Sequence, residues 1–246
     1  MRAVIFSGTT EGRELSRLLA QMGAEVTVCV ATAYGQEEQG TCEGVTVLAG
    51  RRDAAEMAEL LQGKQLCVDA THPYAVEVTR HIRAACEQTG VPYCRLLRPE
   101  GSETGGVLVG SAAEAAEYLR GRPGNILLTT GAKELTAFTD LPPERLFPRI
   151  LPTHEGLAAC EAVGIPHRNI VAMQGPFSRE LNEAMIRQLK IQHLVTKDGG
   201  PAGGFDEKAA AAAAAGVELI VIRRTEEAGE PFEAVLQICK EMMGCK

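Results

Sequence analysis

The sequence predicts an α/β protein of two units, each built on a parallel sheet, and three observations predict it. Short apolar runs recur along the chain, each followed by a segment whose apolar positions have helical spacing. Glycine, hydroxyl and basic residues gather where most of these runs end. The rhythm breaks over 98–106, at Pro99, Gly101, Gly105 and Gly106, and then restarts. Strands alternating with helices of such length imply right-handed βαβ crossovers, and hence parallel pairing. The break assigns 1–98 to a first domain, 99–106 to a linker and 107–246 to a second domain.

In the first domain the continuous apolar run 2–6 reads as a strand buried on both faces. The helix over 11–22 places Leu15, Leu18 and Leu19 on one side and stops at Gly23. Strands follow at 25–30 and 45–48, with the loop 31–35 between them and Asp53 placed to cap a helix running to Leu61. A strand at 66–70, a helix to about Gln88 and a strand at 92–96 complete the domain. In the second, helices are expected at 111–119, 153–163, 179–190, 209–215 and 232–242. Strands are expected at 125–129, 147–151, 169–173, 193–196 and 218–222. The alanine run at 209–215, between Asp206 as its cap and Gly216 as its stop, reads as a helix whose small side chains pack closely on a sheet.

The bulk composition narrows the function. Hydrophobic residues make up 45% and charged residues 23%, an ordinary globular balance, while aromatics are 4% and tryptophan is absent, so the core is aliphatic. A net charge of −7 argues against a nucleic-acid partner, although local arginines can still receive an anionic small molecule. The eight cysteines contain no Cys-x-x-Cys pair and no cysteine–histidine cluster at zinc spacing, so no metal site is expected and the thiols read as free and mostly buried. No charged leader precedes the first strand, and no run approaches the ~18 apolar residues of a membrane span. These features imply a reducing, cytoplasmic setting, without membrane or nucleic-acid partners.

In open parallel sheets ligands bind beyond the carboxyl ends of the strands, so the strand exits hold the candidate chemistry. The first exit is Ser7-Gly8-Thr9-Thr10-Glu11-Gly12, a Gly-x-x-x-Gly turn opening a helix. Glycine there admits a ligand to the backbone and the free N–H groups of the helix face an anion, although a tight turn in any α/β domain also favours glycine. Thr32 ends the second strand without the acidic residue that holds an adenosine ribose 2′-hydroxyl, and Arg51 or Arg52 at the next exit could pair with a 2′-phosphate, which favours NADP over NAD. The turn Thr71-His72-Pro73-Tyr74-Ala75 follows the fourth strand. His72 there is a proton donor, an anion contact or a brace for its own turn, and Asp69 most simply satisfies loop N–H groups. Arg95 and Arg98 could add positive charge. In the second domain the exits are Thr129-Thr130-Gly131-Ala132-Lys133, Gln174-Gly175-Pro176-Phe177-Ser178 and 197–204, where Lys197 and Asp198 read as an anion contact with its orienting partner, or as local salt bridges. These exits together imply two lobes facing a central cleft.

Gly8-Thr9-Thr10-Glu11-Gly12, Ala31-Thr32-Ala33-Tyr34-Gly35, Gly50-Arg51, Asp69-Ala70-Thr71-His72-Pro73-Tyr74-Ala75 and Pro92-Tyr93-Cys94-Arg95 resemble the precorrin-6A reductase family of cobalamin biosynthesis. Thr129-Thr130-Gly131, Gln174-Gly175-Pro176-Phe177-Ser178 and Thr196-Lys197-Asp198 extend the resemblance over nearly the whole chain, with glycine at 199 where many members have serine. The resemblance implies two Rossmann-like domains and the reduction of one ring double bond in a tetrapyrrole-derived macrocycle by NADPH. It places Gly8, Thr9, Thr10, Glu11, Gly12, Thr32, Arg51, Arg52 and Thr71 near the cofactor. Tyr34, Gly131, Lys133, Gly175, Ser178, Lys197 and Asp198 fall near the substrate, and the proton donor is open among His72, Tyr74, Lys197 and water. Whether the macrocycle carries cobalt, and the oligomeric state, are left open. Two other readings compete. A short-chain-dehydrogenase-like reductase would need a Tyr-x-x-x-Lys pair, but Glu38, Val78, Leu97 and Arg122 stand four places after Tyr34, Tyr74, Tyr93 and Tyr118. A two-lobed module that binds a nucleotide without chemistry is the other.

Overall fold

The computed structural model describes residues 1–99, 105–224 and 228–244. The chain divides into two compact units, Met1–Pro99 with Glu226–Lys246, and Glu100–Thr225. In the first, β1 (Arg2–Ser7), α1 (Thr10–Gln21), β2 (Glu25–Val30), α2 (Ala33–Gln39), β3 (Val45–Ala49), α3 (Ala54–Leu61), β4 (Leu66–Ala70), α4 (Val76–Thr89) and β5 (Tyr93–Arg95) follow in order. The strands form one parallel sheet in the order β3-β2-β1-β4-β5. Ala3 and Ile5 of β1 face one core with Leu15 and Leu19 of α1, while Val4 and Phe6 face another with Met57, Leu61 and Ile82. Burial on both faces is why β1 reads as an unbroken apolar run. Asp53 caps α3 through a reciprocal capping box with Glu56, as the sequence predicts. Of the expected loop 31–35, the last three residues open a helix, α2, because Thr32 accepts the Gly35 N–H at 3.0 Å and so caps it.

The second unit carries β6 (Val107–Val109), α5 (Ala112–Leu119), β7 (Asn125–Leu128), a 3₁₀ helix (Ala132–Phe138), β8 (Leu146–Ile150), α6 (His154–Ala162), β9 (Val171–Ala172), α7 (Arg179–Gln188), β10 (Ile191–Lys197), α8 (Phe205–Ala215) and β11 (Glu218–Ile222). Its sheet is also parallel, in the order β6-β11-β10-β7-β8-β9. The short edge strand β6 was absent from the sequence reading, because three residues carry too little periodicity to register. Asp206 does not cap α8 as expected. Gly204, in the left-handed region at φ 63°, occupies that position, and Asp206 lies in the first turn, where its charge still suits the helix dipole. The alanine run is helical, with Ala211 and Ala212 buried beside Phe205 and Leu219.

The last helix, α9 (Phe232–Met243), corrects the expected domain limits. Assigned by sequence to the second domain, it belongs to the first unit: Val235 and Cys239 are buried in the core that holds Leu15, Leu19, Cys94 and Leu96. Just before it, Glu230 extends the sheet beyond β5, donating its N–H to the Arg95 carbonyl and accepting the Leu97 N–H at 2.8 Å. Of the expected linker, 100–104 lie outside the described residues. Seven cysteines are free and six of them buried, while Cys245 lies outside the described residues. Among the described residues no cluster of three or more potential ligands could hold a metal ion, and no helix is long and apolar enough to cross a membrane.

Candidate functional site

The exit of β1 opens on a pocket of about 140 Å³ lined by Ser7, Gly8, Thr9, Thr10, Arg13, Val30, Gly35, Glu38, Gln39 and Arg98. Thr9 shapes it: its hydroxyl accepts the Gly12 N–H at 3.1 Å and donates to the Ala70 carbonyl at 2.9 Å, fastening the start of α1 to β4. The Arg13 N–H is taken by the Thr9 carbonyl, so the N–H groups of Thr10 and Glu11 have no partner among the described residues. Two such groups at the positive end of a twelve-residue helix are suited to receive an anion. The two motif glycines differ. A Cβ on Gly8 would meet only the His72 backbone nitrogen, at 3.9 Å, whereas one on Gly12 would lie 2.7 Å from Ala70 Cβ and 2.8 Å from Ser7 Oγ. Gly8 lines the pocket, and Gly12 lets α1 pack on the sheet.

Two arginines line the same pocket. Arg13, which the sequence reading did not single out, donates to the Glu38 carbonyl at 2.7 Å, and Arg98 lies 3.1 Å from the Glu11 carboxylate. Glu11 is thus held by a cation at the rim. Arg51 is exposed, and Arg52 donates to the Gly50 carbonyl at 2.9 Å; neither lines the pocket. The Arg52 charge is nevertheless felt by the Cys29 thiol near the end of β2, which burial pushes up to about 11. Tyr34 sits on α2, its hydroxyl raised by burial and by Glu38 and Glu37.

At the exit of β4, Asp69 is fully buried and accepts from the Thr71 N–H (3.0 Å), Thr71 Oγ1 (2.7 Å), Thr79 Oγ1 (2.8 Å), Tyr93 Oη (3.0 Å) and Arg95 Nη1 (2.7 Å). It satisfies loop N–H groups, as read from sequence, and also neutralises Arg95. Arg95, expected to add positive charge, is instead neutralised and buried: its side chain is 2% exposed. The Thr71 hydroxyl, expected near the cofactor, is committed to Asp69. This bracing orients the turn that carries His72 and Tyr74, whose rings lie 5.4 Å apart. His72 Nδ1 accepts the Tyr74 N–H at 3.5 Å, which in the neutral ring leaves the proton on Nε2.

In the second unit the expected contacts are dispersed over three exits. Gly131, at φ 86°, turns the chain into the 3₁₀ helix, and Lys133 is exposed. Lys197 pairs with Glu134 at 2.7 Å, while Asp198 pairs with Arg224 at 3.3 Å and accepts the Gly200 N–H at 3.1 Å, so both make salt bridges. Gly175 precedes a cis proline, and a Cβ there would strike the Phe177 ring at 2.7 Å; Ser178 caps α7. Glu134, Arg149 and Arg224 were missed by the sequence reading because their partners lie far away in sequence.

A family model described as precorrin-6x reductase CbiJ/CobK matches residues 2–241. The cobalt-precorrin-6A reductase of Priestia megaterium is 34% identical over 90% of this chain and 89% of its own length. That of Methanothermobacter thermautotrophicus is 34% identical over 92% and 77%. A solved structure, CobK precorrin-6A reductase, superposes with a TM-score of 0.81 at 26% identity, covering 100% of this chain and 98% of that one. The two parallel sheets are those of a pair of Rossmann-like domains. With this agreement over nearly its whole length, the chain belongs to the precorrin-6A reductase family of cobalamin biosynthesis, oxidoreductases that act on a ring carbon–carbon double bond.

Proposed function

We propose that the protein uses NADPH to reduce one ring double bond of precorrin-6A or its cobalt form, as a cytoplasmic enzyme. The observation that carries the cofactor assignment is the unpartnered N–H pair of Thr10 and Glu11, flanked by Arg13 and Arg98 at the carboxyl end of the first sheet. NADPH, when bound, supplies a hydride from its nicotinamide C4 to one ring carbon. The Thr10 and Glu11 N–H groups hold the pyrophosphate, and Gly8 lets it approach the backbone. Arg51 or Arg52 meets the 2′-phosphate, beside Thr32. A proton must reach the neighbouring ring carbon as the double bond becomes single; His72 Nε2, Tyr74 and Lys197 are the groups that can deliver it. The exits of the second unit, with Gly131, Lys133, Gly175, Ser178, Lys197 and Asp198, receive the tetrapyrrole-derived substrate.

The test is anaerobic turnover of precorrin-6A and cobalt-precorrin-6A with NADPH and with NADH. NADPH consumption that depends on the macrocycle is expected. A large preference for NADH, or no oxidation with either macrocycle, overturns the assignment. Replacing Arg51 and Arg52 together by alanine should remove charge-assisted bonds worth about 1.5–3 kcal/mol, raising the KM for NADPH roughly tenfold or more. The KM for NADH should not move.

A further inference from the structure

The second unit buries two cations that lack a counter-ion of their own among the described residues. Arg149, on β8, is 8% exposed; its guanidinium stacks 4.0 Å over the Phe177 ring and donates to Asn182 Oδ1 at 2.7 Å. Lys208, the fourth residue of α8, is 6% exposed, and its ammonium makes no hydrogen bond or ion pair among the described residues. The charges that act on Lys208 are the Arg149 guanidinium, which repels it, and the Asp198 carboxylate, which attracts it. Asp198 is already engaged by Arg224 and by the Gly200 N–H. Burial, reinforced by Arg149, pushes the Lys208 ammonium down to about 7, and burial pushes Arg149 down to about 10. Two like charges so placed are costly unless an anion joins them.

A third polar group of this unit is also unused. Among the described residues, Thr130 Oγ1 is the only fully enclosed side-chain polar atom without a partner. Thr130 follows β7, the strand between β8 and β10, so an unused hydroxyl and both cations stand at the carboxyl end of the same sheet.

We propose that Arg149 and Lys208 receive a carboxylate of the macrocycle and fix its orientation; this rests on the function proposed above. A carboxylate is favoured over a nucleotide phosphate because the phosphate-binding N–H groups lie in the first unit. A bound carboxylate would favour the charged form of Lys208. Alone, Lys208 weakens the fold. Its folded value of about 7 lies below the ordinary 10.5, so between these the unfolded chain holds a proton that the folded one lacks. Stability from this group thus rises as pH goes from about 7 to 10.5, and the penalty is complete below 7. The groups facing it are Arg149 from β8 and Asp198 from the β10 exit.

Lys208→Met is expected to raise the KM for the macrocycle roughly tenfold or more while kcat stays within about twofold and the KM for NADPH is unchanged. Its melting temperature at pH 6.5 should exceed that of the wild type. Lys208→Arg should recover much of the macrocycle affinity, and Arg149→Met should reproduce the loss if it folds. A rise in the KM for NADPH instead would reassign the pair to a phosphate and overturn the proposal, as would an unchanged macrocycle KM in folded Lys208→Met. If the wild type oxidises no NADPH, the reductase assignment fails by itself. Retention of the macrocycle in ultrafiltration, wild type against Lys208→Met, then decides the carboxylate site: equal retention overturns it.

Discussion

Asp69→Asn should cost the first unit a large part of its stability. The carboxylate receives five donors, three on Oδ1 and two on Oδ2. An amide must turn its own N–H₂ towards one of these sets, and it removes the charge that balances the buried Arg95. Breaking a buried pair from one side costs about 3–5 kcal/mol, against a total stability of about 5–15 kcal/mol for a typical domain. Denaturant unfolding of the variant should show that loss, and a change below about 1 kcal/mol would refute the role given to Asp69. Replacing Arg95 by methionine in the same protein should recover part of it, since the orphaned charge is then gone. Activity should fall as well in the single variant, because Thr71, the first residue of the His72 turn, is held by the same carboxylate.

The two glycines of the opening turn should respond in opposite ways. Gly12→Val places a side chain where Ala70 Cβ and Ser7 Oγ already lie within 2.8 Å of the added Cβ, so α1 must lift from the sheet. Such overpacking costs about 1–3 kcal/mol and shifts the Thr10 and Glu11 N–H groups from the position proposed for the pyrophosphate. Both the melting temperature and NADPH affinity should drop. Gly8→Ala meets nothing closer than 3.9 Å and should leave the melting temperature unchanged, with its effect confined to how near a ligand can come. Equal destabilisation by the two variants, read by calorimetry, would contradict the division between a packing glycine and a ligand-facing one.

The strands were readable because burial on both faces leaves an unbroken apolar run, as in β1 and β11. Helix boundaries were readable where a side chain caps locally, as Asp53 does. What could not be read was pairing at a distance. Arg95 read as added positive charge because its partner lies 26 positions earlier and only the β4–β5 register brings them together. The apolar stripe of α9 says that one face is buried, but nothing in its spacing says against which sheet. Lys208 was passed over inside an alanine-rich helix for the same reason: a lone lysine there normally faces water, and its burial follows from how α8 lies on α7 and the sheet. In the opening turn, spacing located the strand-to-helix junction but not the different packing of Gly8 and Gly12, which depends on Ala70, nearly sixty positions later.

The return of α9 to the first unit sets an order of events on the ribosome. Residues 1–99 can pair their five strands as they emerge, yet the face bearing Leu15 and Leu19 lacks its cover until Val235 and Cys239 have been made. At about 5–20 residues per second that interval is roughly 7–30 s, during which the entire second unit is synthesised. A nascent chain halted before Phe232 should therefore present a sticky apolar surface, recruit holdase chaperones and be cut readily by proteases. Supplying 228–244 as a separate peptide should shield it.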